Sequence, residues 1–148
     1  MPDRDQPMLY VADLGGRAAL SATTPEALRE VFVTALERAG ATIVESLSHG
    51  FPGAGMTCVL ILAESHAVLH TWPETATVNI DVFSCTTRLK SLAAIEEIGR
   101  SLGAATVSIR ETPRANGYHP QPRGAGTVTP AAAPTPHQAG RPSSSARR

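Results

Sequence analysis

The stretch MTCVLILA, residues 56–63, is the most continuously apolar in the chain, and it runs without a spacer into Glu64, Ser65 and His66. It falls far short of the ~18 apolar residues that span a bilayer, and its length is that of a strand. An uninterrupted apolar run suits a central strand covered on both faces. A polar, reactive triplet directly after the most deeply buried strand breaks the local pattern, and such breaks gather at functional sites.

The flanking sequence builds a fold around this strand. Residues 8–13, MLYVAD, alternate loosely as a first strand. In TTPEALREVFVTALERAG, Thr24 suits the N-cap and Pro25 the first turn, Glu26 and Glu30 favour the positive end of the dipole, and Gly40 follows the last turn. Leu28, Val31, Phe32 and Leu36 recur at helical spacing. ATIVESLSH has strand composition, and FPGAG at 51–55 breaks it. In TATVNIDVFSC, Val78, Ile80 and Val82 alternate with Asn79, Asp81 and Phe83, the pattern of a half-buried strand. Residues 87–102 read as a second amphipathic helix with Leu89, Leu92, Ile95 and Ile98 inward, and ATVSIRE returns as a strand before Pro113. Consecutive strands joined by short breaks, with a helix on either side of the run, predict an α+β two-layer sandwich: an antiparallel sheet with helices on one face.

Charge divides the chain. The formal net charge is zero, yet residues 1–118 hold all thirteen acids and nine bases, a balance of −4, while residues 119–148 hold four Arg and no acid. This last segment also carries six of the twelve prolines and one β-branched aliphatic residue, Val128. It cannot bury enough apolar surface to offset the entropy of ordering it, so 1–118 is expected to be the folded domain and 119–148 a disordered tail. Four scattered Arg are too few for a nucleic-acid arm. The start, MPDRDQPM, is polar and acidic rather than a basic segment leading into a hydrophobic one, so a cytoplasmic protein with no membrane association is expected. Cys58 and Cys85 are too few for a disulfide scaffold and form no CxxC pair.

Reactive side chains concentrate in ESHAVLHTWPETATVNIDVFSC, residues 64–85. Side chains alternate along a strand, so a straight strand would send Ser65 and His70 to opposite faces. A bend at ESH is therefore expected, with His70 and Cys85 converging on it. Zinc fits poorly, because His66 and His70 have helical spacing inside a strand sequence; no metal is expected. A hydrolase built on Ser65, His70 and Asp81 would lack both a GxSxG elbow and an oxyanion loop. The third chemistry makes Ser65 the site at which the backbone cuts itself.

This window closely resembles the self-processing segment of bacterial S-adenosylmethionine decarboxylases, a pyruvoyl-dependent family in which ESH, HTWPE and a D-x-F-x-C strand end occur in this order and spacing. GATIV at 40–44 and Phe51 extend the resemblance, which covers residues 8–118. It implies that the Ser65 hydroxyl attacks the carbonyl of Glu64, that the ester then eliminates, and that the serine remnant becomes a covalent pyruvoyl cofactor. The products would be a β chain of residues 1–64 and an α chain of 65–148. By the same resemblance His70 promotes elimination, and Thr57 stands where the family usually has a processing Ser.

For the mature enzyme the resemblance implies that the substrate amine forms a Schiff base with the pyruvoyl ketone and that Cys85 protonates Cα after CO₂ leaves. Phe51 stacks on the adenine, Glu74 accepts hydrogen bonds from the ribose, and Trp72 walls the pocket. It further implies a homodimer with sites drawn from both protomers, and a product that serves as the aminopropyl donor for spermidine synthesis. The N-terminal stretch LYVADLGGRAALSATTPE departs from the family, with GGR but neither the following His nor a Cys-bearing turn. A changed pocket could suit ornithine or arginine instead, and a non-catalytic regulatory paralogue is the remaining alternative. Plainer roles are those of a core residue for Cys58, a passive neighbour for His66 and strand support for Asp81.

Overall fold

The computed structural model describes residues 6–16, 23–86 and 89–115. All of these lie within the unit Met1–Tyr118; the expected tail lies outside the described residues. The strands are β1 (Met8–Gly15), β2 (Ile43–Gly50), β3 (Met56–Leu62), β4 (Ser65–Trp72), β5 (Thr77–Ser84) and β6 (Thr106–Pro113), with helices α1 (Pro25–Arg38) and α2 (Ser91–Ser101). They form a single six-stranded sheet in the order β2-β3-β4-β5-β1-β6, every pairing antiparallel. The α+β sandwich read from the sequence is the observed architecture.

Local chemistry accounts for α1. The Thr24 hydroxyl accepts from Ala27 N–H at 3.2 Å, Pro25 occupies the first turn, and Gly40, at φ 100°, ends the helix with its N–H bonded to Glu37 O. Leu28, Phe32, Ala35 and Leu36 are buried against the sheet.

The second helix starts later than its periodicity predicts. Leu89 is buried and Lys90 N–H donates to Ala39 O at 2.9 Å, so these residues tie the chain to the end of α1 and winding begins at Ser91. Thr87 lies outside the described residues. The buried stripe of α2 runs through Ser91, Ala94, Ile95 and Ile98, which leaves Leu92 at its margin, 40 % exposed, rather than inward. Gly99 permits the close approach of this helix to β6: a Cβ there would sit 2.9 Å from Val107 Cγ2.

Both helices cover the same face of the sheet. Beneath them lie Ala12, Leu14, Met56, Cys58, Leu60, Leu62, Ala67, Leu69, Val78, Ile80 and Val82, all in one buried cluster. The apolar strand β3 is therefore not covered twice, as its sequence predicts. Met56, Cys58, Leu60 and Leu62 are buried, but Thr57, Val59 and Ile61 alternate onto the other face, where Ile61 is 46 % exposed. The residues on β4 that share this open face are His66, Val68, His70 and Trp72.

Candidate active site

The bend expected at ESH is a two-residue turn, Ala63 and Glu64, between β3 and β4. Three hydrogen bonds hold it. Ala63 N–H donates to Thr42 O (2.9 Å), Thr42 N–H to the Glu64 carboxylate (3.0 Å), and Cys85 N–H to the main-chain carbonyl oxygen of Glu64 (3.0 Å). Ser65 opens β4 at φ 147°, a conformation that favours glycine and costs an L residue about 1–3 kcal/mol. Its hydroxyl lies 3.1 Å from His66 Nδ1. Ser65 pairs in register with Ser84, which places the exposed Cys85 at the same end of the sheet.

A second cluster occupies the opposite end of β4. Thr57 and His70 are register partners across β3 and β4, and Thr57 Oγ1 lies 2.6 Å from His70 Nδ1. The His70 ring packs edge-on to Trp72 (centroids 4.6 Å apart) and to Phe51 (5.9 Å). These rings, with Pro52, Gly55 and Glu74, line a cleft of about 710 Å³. Phe51 is held in its loop by its own N–H bonded to Gly55 O at 2.7 Å, and the buried Thr71 hydroxyl accepts from Met56 N–H at 2.9 Å, fixing the loop's exit. Beyond Trp72 the chain makes one 3₁₀ turn, Pro73–Thr75, closed by Ala76 in the left-handed region, and this turn carries Glu74 to the rim.

One expectation needs correction. His70 does not converge on Ser65 within the protomer, since the two stand five residues apart on one extended strand, about 16 Å at the usual rise. Glu64, Ser65 and Cys85 form one group; Thr57, His70, Phe51, Trp72 and Glu74 form the other.

The family model for S-adenosylmethionine decarboxylase matches residues 9–115, a span that contains both groups. The chain belongs to the S-adenosylmethionine decarboxylase family. Among its curated relatives, the S-adenosylmethionine decarboxylase proenzyme of Shouchella clausii is 36% identical over 107 residues, covering 72% of this chain and 83% of the relative. That of Prochlorococcus marinus is 40% identical over 92 residues, 60% of this chain and 74% of the relative. The crystal structure of the adenosylmethionine decarboxylase from Aquifex aeolicus matches with a TM-score of 0.69 at 28% identity, covering 81% of this chain and 99% of that one.

Several residues that surround the candidate site in this S-adenosylmethionine decarboxylase family member escaped the sequence reading. Trp72 Nε1 donates to Asn79 Oδ1 (2.6 Å) and Asn79 Nδ2 to Asp13 Oδ1 (2.7 Å), a relay that fixes the indole from across β5 and β1. His49 packs edge-on to Phe51 at 4.7 Å. The alternation in TATVNIDV puts Asn79 on the polar face, but its partners depend on strand order, which no local pattern encodes. Among the described residues, no three His, Cys, Asp or Glu side chains are grouped to hold a metal ion.

Proposed function

We propose that this chain is a proenzyme that cuts itself between Glu64 and Ser65 and then decarboxylates S-adenosylmethionine, yielding the aminopropyl donor for spermidine synthesis. The observation that carries the reading is the geometry at the cut: a strained serine whose preceding carbonyl already accepts the Cys85 N–H at 3.0 Å.

The Ser65 hydroxyl adds to the carbonyl carbon of Glu64, and the Cys85 N–H takes the charge that develops on oxygen. Collapse breaks the C–N bond and leaves an ester with a free amine at Ser65. Release of backbone strain offsets part of the uphill conversion of amide to ester. His70, oriented by Thr57, then removes the Cα proton of Ser65, and Glu64 departs as a carboxylate. Water hydrolyses the remnant, ammonia leaves, and the α chain begins with a pyruvoyl group. An accessible hydroxyl beside a polarised carbonyl fits that group's origin. Once formed, the pyruvoyl supplies an electrophilic ketone that takes an amine and withdraws electrons as CO₂ leaves.

The remaining steps fall to side chains. The cleft at Phe51 and Trp72 is of ligand-binding size, aromatic, and carries the carboxylate of Glu74 at its rim. These features suit a cationic nucleoside: an aromatic face for the base, a carboxylate for ribose hydroxyls. Ornithine or arginine needs no stacking platform, and a non-catalytic paralogue needs neither the strained serine nor the exposed thiol. Cys85 delivers the proton to substrate Cα, a task suited to a thiol, which is a stronger acid than a hydroxyl.

Because the two groups stand apart on one chain, the same proposal includes a homodimer. A two-fold axis across the open sheet face brings the His70 end of one protomer against the Ser65 end of the other, twice over. The exposed Ile61 and Trp72 on that face are the apolar surface it would cover. Nucleic acid has no part in this reading. Among the described residues no helix is long and apolar enough to cross a membrane, and the reaction is proposed to take place in the cytoplasm, where its charged nucleoside substrate dissolves.

Intact mass under denaturing conditions tests the cut, with chains of residues 1–64 and 65–148 expected, the second lacking an amino terminus and reacting with hydrazines. Release of CO₂ from carboxyl-labelled S-adenosylmethionine, but not from ornithine or arginine, tests the substrate. A permanently uncut chain would sink the proposal.

A further inference from the structure

The self-cleavage reading leaves the proton of the Ser65 hydroxyl unassigned: His70 of the same chain stands at the far end of β4, and the His70 that the proposed dimer brings to Ser65 has the Cα proton to remove. The side chain that touches the hydroxyl is His66, whose Nδ1 lies 3.1 Å from Ser65 Oγ. Its ring is not free to wander: it packs against Phe83, with centroids 5.4 Å apart, on the open face of the sheet. From its register position Ile61 faces it across β3.

We infer that His66 is the general base of the first processing step. It rests on the self-cleavage reading and adds a catalytic residue to it. With Nε2 protonated, Nδ1 accepts the Ser65 proton as Oγ bonds to the Glu64 carbonyl carbon. The carbonyl electron pair moves onto oxygen, facing Cys85 N–H. When the tetrahedral adduct collapses and the C–N bond breaks, the proton held by His66 is the one the departing Ser65 nitrogen requires. One amide becomes one ester and one amine, with nothing consumed. The two histidines of the window thereby divide the work, His66 in the acyl shift and His70 in the elimination.

The groups that set this histidine's behaviour are visible. Its cleft is lined by Leu9, Val68, Asp81, Phe83 and Arg114, so Asp81 from β5 and Arg114 beyond β6 are the charged residues facing it, with Glu64 two positions earlier on its own segment. Arg114 lies over the Phe83 ring, 5.9 Å from its centroid.

The test follows cleavage itself. Full-length chain is made in a short cell-free pulse and chased at pH values between about 5 and 8.5, and the uncut and cut forms are separated under denaturing conditions. Wild-type cleavage is expected to run faster at the alkaline end of this range than at the acid end, where a protonated base cannot accept the Ser65 proton. His66→Ala and the similarly sized His66→Gln are expected to slow it by about 100-fold or more and to flatten that rise, with added imidazole restoring part of the rate to His66→Ala. Neither variant should accumulate ester, so hydroxylamine should release no extra fragments. Cleavage of either variant at the wild-type rate would overturn the inference. So would a hydroxylamine-sensitive ester, which would place His66 after the acyl shift. If both variants fail to fold, the wild-type profile still decides, because a cleavage rate that is the same at both ends of the pH range leaves no role for this base. A wild-type chain that never cuts removes the self-cleavage reading and this role together.

Discussion

Cys85 N–H donates to the main-chain carbonyl oxygen of Glu64 at 3.0 Å, while the thiol of the same residue is exposed. In the proposed mechanism this one residue offers two separable groups, a backbone donor for the cut and a side-chain acid for the reaction that follows. Cys85→Ala keeps the donor and loses the acid. It should be cut at close to the wild-type rate yet lose about 100-fold or more in decarboxylation, read as fragment mass in one assay and labelled CO₂ in the other.

Ser65→Ala deletes the proposed nucleophile and should leave one uncut chain with no decarboxylase activity. Thermal unfolding should show a melting temperature near that of the uncut wild-type chain, since Ser65 is only half-buried and its hydroxyl bonds to the exposed His66. A Ser65→Ala sample that still yields a chain of residues 65–148 would refute Ser65 as the cutting group.

The 2.6 Å contact from Thr57 to His70 makes a graded prediction. Thr57→Val keeps the shape and deletes the bond, so elimination should slow by about 10-fold, the value of roughly one hydrogen bond. Ester should accumulate in Thr57→Val and more fully in His70→Ala, and hydroxylamine should cleave both at Ser65.

The separation of His70 from Ser65 along β4 predicts complementation. When Ser65→Ala and His70→Ala chains are expressed together, a mixed dimer holds one site with Ser65 from one chain and His70 from the other. The His70→Ala chain should then be cut in the mixture though not alone. Ile61→Asp on the open face should abolish this rescue and shift gel filtration toward the mass of a single protomer.

Phe51→Ala and Glu74→Gln should raise KM for S-adenosylmethionine by about 10-fold each, with smaller effects on kcat, because in the proposed site both groups hold the substrate away from the reacting carbon. Equal losses in kcat and kcat/KM would place them in the chemistry instead.

The order of strands and helices was legible because each is announced by its own chemistry, the Thr24 cap and Gly40 stop of α1 and the alternation of β5 among them. The grouping of the candidate residues was legible only in part. Parity separated Ser65 from His70, and the bend at ESH exists, but a bend of two residues leaves both on the same strand, and only the family resemblance, not the spacing of the residues, pointed to a partner that would reunite them. In the same way MTCVLILA records that both faces of β3 are apolar, not which of them the chain itself covers. Leu92 was misplaced for a related reason: periodicity gives a stripe, and only the tether from Lys90 to Ala39 sets where the helix begins and how that stripe is turned.

The strand order β2-β3-β4-β5-β1-β6 has a mechanical consequence. A cut after Glu64 assigns β1, β2 and β3 to one piece and β4, β5 and β6 to the other, yet β1 sits wedged between β5 and β6. The pieces are braided rather than side by side, so neither can leave without tearing the sheet at three seams. Assembly of the fold is then a single-use event: the uncut chain closes on itself as one molecule, whereas severed halves must find each other in solution, and recovery from denaturation becomes dependent on concentration.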